Sequence, residues 1–288
     1  SDLARWLGIC LLLPALWPVV ERPSEGEAWV DVLDVGQGLA VVVRTANHVL
    51  LYDTGPMYSA EADAGQRIIV PWLRSTGISA LDALVVTHRD KDHSGGLASV
   101  REALPVRKLL SSLPELDGEP CVAGQQWAWD GVRFAFLHPV VEDYTKAARK
   151  TNNMSCVLRV WTDDGGILLT SDIEAADEAA LLGRSAAMLR NEVLVAPHHG
   201  SRTSSTPAFV AAVGAREVIF PVGYRNRFQH PRPDVVDRYA GSRLWRSDRD
   251  GRVRVVLGPE IRLSAWRQER RRYWQAGATS GPDPQSHR

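Results

Sequence analysis

Cysteine is scarce in this sequence of 288 residues, which contains only Cys10, Cys121 and Cys156. The three lie far apart and form no CxxC pair, so we predict neither a disulfide framework nor a cysteine-ligated zinc site. The cysteines therefore do not decide whether the protein works in an oxidising or a reducing compartment. The sequence also has no internal repeat, and with 44% hydrophobic residues it is too apolar for a disordered chain.

Long apolar runs are missing as well. Residues 6–20 carry no charge, but a bilayer-spanning helix needs about 20 apolar residues, and Pro14 and Pro18 interrupt this shorter run. The run is typical of a signal-peptide core, a buried helix or the trailing end of a membrane helix, and we favour the last. Because the first residue is Ser1 rather than Met, we interpret the chain as a piece of a longer protein.

Net charge is absent too, because 34 basic residues balance 34 acidic ones. The balance is uneven along the chain. Residues 1–200 contain 17 Lys and Arg against 26 Asp and Glu, whereas residues 201–274 contain 16 Arg against 7 acidic residues. All basic residues of this second part are arginine, and this favours phosphate binding because guanidinium groups pair bidentately with phosphate oxygens.

Short strands alternate with helices between the two ends. Apolar alternation predicts strands at 29–35, 39–45, 48–54, 83–87, 106–111, 127–136, 156–162, 166–171, 192–196, 216–221 and 244–264. Helices are predicted at 66–76, 95–103, 174–183 and 206–213. Two blocks of strands with interleaved helices predict one α/β sandwich domain over 28–265, with sheets inside and helices outside. Residues 1–27 are then a membrane-segment end and linker, and 266–288 a basic, aromatic stretch with a disordered tail.

The densest group of polar side chains follows the buried strand at 83–87. Its sequence is HRDKDHSGG, which begins at His88 and contains Asp90, Asp92 and His93. Side chains two positions apart in an extended segment point the same way, so His88, Asp90 and Asp92 can converge. Four groups able to bind a metal within six residues exceed the needs of one ion. The pattern therefore favours two ions, although a solvated loop with a helix-capping aspartate would also fit.

Five polar groups also follow four other apolar segments. These residues are Asp34, Asp53, Asp172, His198 and His199. Each one alone fits a turn aspartate or a buried histidine bonded to the backbone. Together they repeat one placement, at the point where a strand leaves its sheet, and this favours a common functional site.

The motifs DVGQG, LYDTG, HxDxDHxGG, LLTSD and PHHGS, in this order, resemble the metallo-β-lactamase superfamily, whose domains have an αββα sandwich. With NRFQHP at 226–231, they are most similar to the C-terminal domain of the ComEC family of DNA-uptake channels. The resemblance runs from about residue 29 to residue 263. It implies a metal-dependent nuclease that degrades the strand that is not imported.

Ligands are implied by the resemblance position by position. One ion would be held by His88, Asp90 and Asp172, and the other by Asp92, His93, Asp172 and His199 or His198, with His199 preferred. The middle histidine of the superfamily has no counterpart, because this stretch reads KTNNMS. Asn152 or, from a distance, His138 could replace it, and Asp34 and Asp53 are candidates for supporting roles.

Two departures from the family pattern concern the metal. Asp90 stands where many relatives have histidine, and harder oxygen ligands favour Mn²⁺ or Mg²⁺ over Zn²⁺. We therefore predict that two divalent ions are the cofactors, with Mn²⁺ preferred. In addition, Leu39 replaces the acid of the related DVGQGD motif.

Catalysis and binding follow from the same resemblance. We expect water to be held by Asp92 and Asp172 for attack at phosphorus, with His198 or His230 protonating the leaving oxygen. DNA would be bound without regard to sequence. Tyr224 and Trp245 could stack on unpaired bases. The arginines predicted to bind DNA are Arg225, Arg227, Arg232, Arg246 and Arg249.

The resemblance also implies a setting for the domain. The partner would be a membrane channel in the same polypeptide, in the inner membrane, with this domain on the periplasmic face and monomeric by itself. Two alternatives stay open: a non-catalytic DNA-binding or gating module, and a hydrolase of small phosphodiesters or lactams. Fold alone does not choose between these functions.

Overall fold

The computed structural model describes residues 21–146 and 149–270. The predicted membrane segment at 6–20 and the tail from residue 271 lie outside these ranges. Inside them, no helix has the length and apolarity that a membrane crossing requires.

Two large sheets form the centre of the described structure. The strands are β1 (Ala28–Val32), β2 (Val41–Arg44), β3 (Val49–Tyr52), β4 (Met57–Ser59), β5 (Ala62–Asp63), β6 (Leu81–Val86), β7 (Val106–Ser111), β8 (Glu119–Pro120), β9 (Gln126–Trp129), β10 (Val132–His138), β11 (Val157–Trp161), β12 (Gly166–Leu169), β13 (Val193–Val195), β14 (Glu217–Phe220), β15 (Arg243–Arg246), β16 (Val253–Leu257) and β17 (Arg262–Ala265). The first sheet has the order β17-β16-β1-β2-β3-β6-β7-β8, and the second has the order β15-β14-β13-β12-β11-β10-β9. Strands β4 and β5 form a small separate hairpin.

Helices lie outside this pair of sheets. They are α1 (Val70–Ser75), α2 (Lys91–Ser94), α3 (Leu97–Ala103), α4 (Ala175–Leu189), α5 (Pro207–Val213), α6 (Pro233–Val236), α7 (Ser247–Asp250) and α8 (Trp266–Glu269). A π-helical turn at Gly65–Ile69 leads into α1, and 3₁₀ turns occupy Val141–Thr145, Asn152–Met154, Pro197–Gly200 and Asp237–Tyr239.

The alternation of side chains between the two faces of each strand determines where the hydrophobic core lies. On β1, Val30 and Val32 face the second sheet, where they join Phe134, Phe136 and Leu158 in one buried cluster. The opposite faces of the two sheets pack against helices in two further clusters. Helix–sheet–sheet–helix layering therefore confirms the predicted αββα sandwich.

The structure corrects three details of the sequence prediction. The helix predicted at 95–103 corresponds to α3 at Leu97–Ala103, and the short helix α2 at Lys91–Ser94 precedes it without having been predicted. The strand group at 244–264 is shared between sheets, since β15 pairs parallel with β14 whereas β16 pairs with β1.

The third correction concerns cysteine, because Cys121 and Cys156 form a disulfide. The prediction that no disulfide is present was therefore wrong. The partners lie 35 positions apart in sequence, and the topology brings the segment after β8 against the start of β11.

Candidate metal centre

The candidate site lies where β3, β6, β12 and β13 end. Strands β3 and β6 are parallel neighbours in the first sheet, and β12 and β13 are parallel neighbours in the second. The carboxyl ends of neighbouring parallel strands lie at the same edge of a sheet, so the polar residues that follow these strands converge. This is why polar residues that each follow an apolar run in the sequence meet at one site in the structure.

Asp53, just after β3, anchors the first side of the site. This fully buried carboxylate accepts hydrogen bonds from the backbone N–H and the hydroxyl of Thr87, both at 2.8 Å. Its Oδ2 also accepts from Nδ1 of His93 at 2.8 Å. A carboxylate that binds the outer nitrogen of a histidine fixes the tautomer and directs Nε2 inward.

Four ligand-type atoms meet in the middle of the site. They belong to Asp92, His93, Asp172 and His199, and they all lie within 4.8 Å of one another. Oδ1 of Asp172 is 3.1 Å from Nε2 of His93 and 3.4 Å from Nε2 of His199. Oδ2 of Asp92 is 3.5 Å from Nε2 of His199. Two imidazoles and two carboxylates at these separations can surround one divalent ion.

His199 and His198 occupy distinct positions although they are adjacent in sequence. Both have left-handed backbones, with φ of 55° and 49°, and this turn separates their side chains. His199 is buried, and its Nδ1 donates to the Pro221 carbonyl at 2.8 Å. The His198 side chain is 20% exposed, with Nδ1 at 2.8 Å from Oγ1 of Thr203 and Nε2 at 3.6 Å from Oδ2 of Asp172. The geometry therefore places His199 among the metal-type ligands and His198 beside them.

A second group of ligand-type atoms adjoins the first. His88 is fully buried, and its Nε2 has no hydrogen-bond partner among the described residues. Oδ2 of Asp90 lies 3.9 Å from that atom. Oδ1 of Asp172 also lacks a hydrogen bond of acceptable geometry within residues 21–146 and 149–270. Unpartnered buried polar atoms are costly, so these two atoms fit a bound cation.

Charge inside the site shifts the pKa values of its groups. Burial and the neighbouring His93 lower the pKa of His88 to about 4, which leaves a neutral imidazole. Burial alone would lower the pKa of His93, but the carboxylates of Asp172 and Asp53 raise it well above its usual value. Although burial opposes the shift, the cationic His199 and His93 hold the pKa of Asp172 well below its usual range. A divalent ion requires neutral imidazoles and ionised carboxylates, so an ion bound at His93 and His199 would displace the Nε2 protons that these carboxylates favour.

Asn152 and His230 lie at the rim of the site. Nδ2 of Asn152 is 3.4 Å from Nε2 of His198. The His230 ring lies 6.0 Å from the His198 ring and 6.5 Å from the His199 ring. Burial, together with those two histidines, lowers the pKa of His230 to about 4.

Two other residues considered from the sequence lie elsewhere. His138 contacts the Asn153 carbonyl at 2.9 Å and the Arg184 guanidinium at 2.8 Å, and it does not belong to the cluster. Asp34 pairs with Arg267 at 3.0 Å, so its charge is already neutralised. Leu39 packs into the core, and its N–H donates to the Asp92 carbonyl at 3.1 Å. The described structure thus gives His138 and Asp34 partners of their own rather than places in the cluster.

The arginines expected to bind DNA separate into two sets. Arg225 and Arg227 are exposed, and no carboxylate in the described part of the chain pairs with them. Arg232 donates to Oε1 of Gln229 at 2.8 Å on the same loop. Arg246 and Arg249 instead pair with Asp248 at 2.8 Å and Asp250 at 3.0 Å. These two charges are already partnered, which argues against their assignment to DNA.

The structure also corrects the assignment of Trp245. Its side chain is buried in the core between the sheets, and its Nε1 donates to Glu217 at 2.6 Å. It therefore cannot stack on a base. Tyr224 is 73% exposed and keeps an accessible ring.

Several hydroxyl groups of the site were missed in the sequence. Oγ of Ser155 accepts from the Asp172 N–H at 3.2 Å and lies 3.4 Å from Nδ1 of His88. Oγ of Ser171 lies 2.6 Å from Oγ1 of Thr87. Oγ1 of Thr151 donates to Asp90 at 2.7 Å. Each lies within one residue of a ligand or of the KTNNMS stretch, which was the available signal.

Comparison with known proteins agrees with this geometry. The sequence model of the metallo-beta-lactamase superfamily matches residues 33–223. Competence protein ComA of Neisseria gonorrhoeae is 40% identical over 244 residues, covering 83% of this chain and 33% of that protein. Recombination protein 2 of Haemophilus influenzae is 34% identical over 216 residues, covering 73% of this chain and 26% of that protein. The chain thus spans a third or less of the length of these two relatives.

A solved structure supports the fold alone. The metallo-beta-lactamase fold protein YhfI from Bacillus subtilis has a TM-score of 0.52 and 12% identity, with coverage of 76% of this chain and 96% of that one. The fold implies divalent metal ions, and the cluster around Asp172 supplies a candidate site for them. The resemblance deduced from the motifs is confirmed: this chain belongs to the metallo-β-lactamase superfamily.

Proposed function

We propose that this domain hydrolyses phosphodiester bonds of DNA with the help of two divalent cations. The observation that carries the proposal is the buried cluster around Asp172, where ligand-type atoms of two adjoining groups lack hydrogen-bond partners within the described ranges. Arg225 and Arg227, which pair with no carboxylate among the described residues, lie on the loop that leads to His230 beside this cluster. Positive charge next to a metal centre suits a polyanionic substrate.

The residues divide into two ligand sets that share Asp172. His88, Asp90 and Asp172 would hold one cation, and Asp92, His93, Asp172 and His199 would hold the other. Bound cations of this kind act as Lewis acids on a phosphoryl oxygen and make water a better nucleophile. Asp92 is 31% exposed, so its carboxylate reaches the open side of the cluster and can orient that water.

Geometry favours His198 over His230 as the proton donor to the leaving oxygen. Nε2 of His198 lies 3.6 Å from Oδ2 of Asp172, and Thr203 holds the opposite ring nitrogen. His230 lies farther from the cluster, with its ring 6.5 Å from that of His199. His230 then shapes the rim against which the substrate lies.

Oxygen ligands set the metal preference. Asp90, Asp92 and Asp172 supply three carboxylates to the two ligand sets, and Asn152 lies close to His198. Hard oxygen ligands suit Mn²⁺ and Mg²⁺, whereas Zn²⁺ favours nitrogen and sulfur. We therefore expect Mn²⁺ to support the highest turnover.

The relatives suggest the biological setting. Because this chain resembles about a third of a competence protein, we infer that it is one part of a membrane channel for DNA uptake and degrades the strand that is not imported. The Cys121–Cys156 disulfide supports the periplasmic face of the inner membrane, since disulfides persist in oxidising compartments.

The proposal is tested by comparing metals in one assay. Protein stripped of metal is given Mn²⁺, Mg²⁺ or Zn²⁺ and incubated with labelled single-stranded and duplex DNA, while bound metal per chain is measured in parallel. The expected result is two Mn²⁺ per chain and the fastest cleavage with Mn²⁺. Stoichiometric metal without cleavage of either DNA would refute the nuclease assignment, and no bound metal would favour a gating module.

A further inference from the structure

Exposed hydrophobic side chains are concentrated on loops beside the metal centre. The described chain has six large ones: Met57, Tyr58, Val141, Tyr224, Phe228 and Trp266. Four of the six belong to two surface segments that we call the rim loops, one at 57–58 in the β4–β5 hairpin and one at 224–228. Exposed hydrophobic groups gathered at one place mark a binding surface more often than scattered ones do.

The backbone at 35–39 connects both rim loops to the cluster. The hydroxyl of Tyr58 donates to the Val35 carbonyl at 2.8 Å. Oε1 of Gln37 accepts from the Gly223 N–H at 3.2 Å, just before Tyr224. The N–H of Leu39 donates to the carbonyl of Asp92, one of the candidate ligands. The two rim loops are therefore fixed at the mouth of the site.

Phe228 is linked to the cluster by a series of rings. Its ring stacks on His230 with centroids 5.7 Å apart and an interplanar angle of 23°. His230 stacks in turn on His199, with centroids 6.5 Å apart and an angle of 20°. A planar group stacked on the Phe228 ring would therefore extend the series of rings that leads through His230 to His199, one of the candidate metal ligands.

Each exposed ring of the 224–228 loop has an arginine over it. The guanidinium carbon of Arg225 lies 5.2 Å from the Tyr224 ring centroid, and that of Arg227 lies 4.7 Å from the Phe228 centroid. Stacking of a nucleic-acid base on an aromatic ring is stronger than an exposed cation–π contact. A base can therefore displace the guanidinium, which is then free to bind the adjacent phosphate.

We propose that Tyr224 and Phe228 form a stacking platform for unpaired bases, so that single-stranded DNA is the form delivered to the metal centre. This inference rests on the proposed function and specifies its substrate. Paired bases keep their faces inside the duplex, whereas an unpaired base offers a free face. A platform that binds through ring faces therefore discriminates against duplex DNA even though both forms carry phosphates.

Binding without hydrolysis tests the platform directly. The 288-residue chain is titrated in EDTA with three fluorescent probes: a twelve-nucleotide thymidine strand, a strand of equal length with abasic sugars, and a blunt duplex. The parent protein is expected to bind the thymidine strand about tenfold more tightly than the abasic one, the effect of about 1.4 kcal/mol of stacking. The variant Tyr224→Ala/Phe228→Ala is expected to lose that difference.

Matched variants separate stacking from other effects. Trp266→Ala removes an aromatic ring of similar exposure on α8, outside the two rim loops, and is expected to bind all probes like the parent. Phe228→Trp should keep the preference for bases. Equal affinity of the parent for thymidine, abasic and duplex probes would overturn the platform alone. Failure to bind any probe would overturn both the platform and the proposed nuclease, whereas base-dependent binding without cleavage when Mn²⁺ is restored would count against the nuclease alone.

Discussion

Nε2 of His93 and Nε2 of His199 lie 3.2 Å apart in the buried centre of the site. Asp53 faces Nδ1 of His93, and Nδ1 of His199 donates to the Pro221 carbonyl, each at 2.8 Å. With both outer nitrogens donating, the two Nε2 atoms point into the same space beside the carboxylates of Asp92 and Asp172. That space favours positive charge, which either a proton on an imidazole or a metal cation can supply. A divalent ion that takes the place of the proton would find four ligand-type side chains around it.

Removal of the shared carboxylate is expected to abolish metal binding and cleavage together. Asp172→Ala takes a ligand from both sets, whereas Asp92→Ala takes one from a single set. We therefore expect Asp172→Ala to bind neither ion tightly and Asp92→Ala to retain one. Metal analysis after dialysis measures this, with circular dichroism as the control for folding. Full cleavage by a variant that combines Asp92→Ala with Asp172→Ala would exclude these residues from the site.

The second prediction concerns Asp53, which contacts His93 rather than a metal. Asp53→Asn keeps the side-chain shape but weakens the charged hydrogen bond that orients the imidazole. Loss of such a supporting partner lowers metal affinity by about 10–100-fold. Mn²⁺ titration of the variant measures the change. As a control, Asp63→Asn alters a carboxylate on β5 that binds the Ser99 hydroxyl, and it should leave Mn²⁺ affinity unchanged.

The third prediction concerns the disulfide. Cys121→Ser/Cys156→Ser removes a cross-link between residues 35 positions apart in sequence. Because the unfolded chain then gains conformational entropy, the unfolding free energy should fall by about 3–4 kcal/mol. Cys156 follows Ser155, which contacts both His88 and Asp172, so metal affinity should fall as well. Denaturant titration with and without reductant gives the measurement. A Cys10→Ser control should respond to reductant as the parent does, and a parent insensitive to reduction would contradict the assigned role.

The fourth prediction concerns buried Asp31, which explains part of the arginine excess. Its carboxylate pairs with Arg44 at 3.2 Å, Arg252 at 2.6 Å and Arg254 at 2.8 Å. Asp31→Asn leaves three guanidinium groups facing one another with little solvent. We expect a loss of about 3–5 kcal/mol in unfolding free energy, measured by denaturant titration, with DNA affinity unchanged. Because pairing holds these arginines in the fold, a large fall in DNA affinity would show that they serve binding instead.

The fold and much of the site could be predicted because strand ends leave a sequence signal. Asp53, His88 and Asp172 each follow a short apolar run, and parallel pairing brings such ends to one edge. Adjacent His198 and His199 could not be distinguished, since their separation depends on a left-handed turn. Long-range pairings such as Cys121 with Cys156 depend on topology. The pairing of Arg246 with Asp248 and of Arg249 with Asp250 is local and was visible in the sequence, whereas the assignment of these arginines to DNA stays a prediction.

The central claim is that a metal-dependent nuclease centre is assembled on Asp172. Its most direct test is cleavage of an end-labelled single-stranded oligonucleotide by metal-stripped protein to which Mn²⁺ is added back, with Asp172→Ala assayed beside the parent. The account predicts cleavage by the parent that rises with Mn²⁺ and saturates at two ions per chain, and none by the variant. Cleavage that persists in the variant, or that does not depend on added metal, would contradict it.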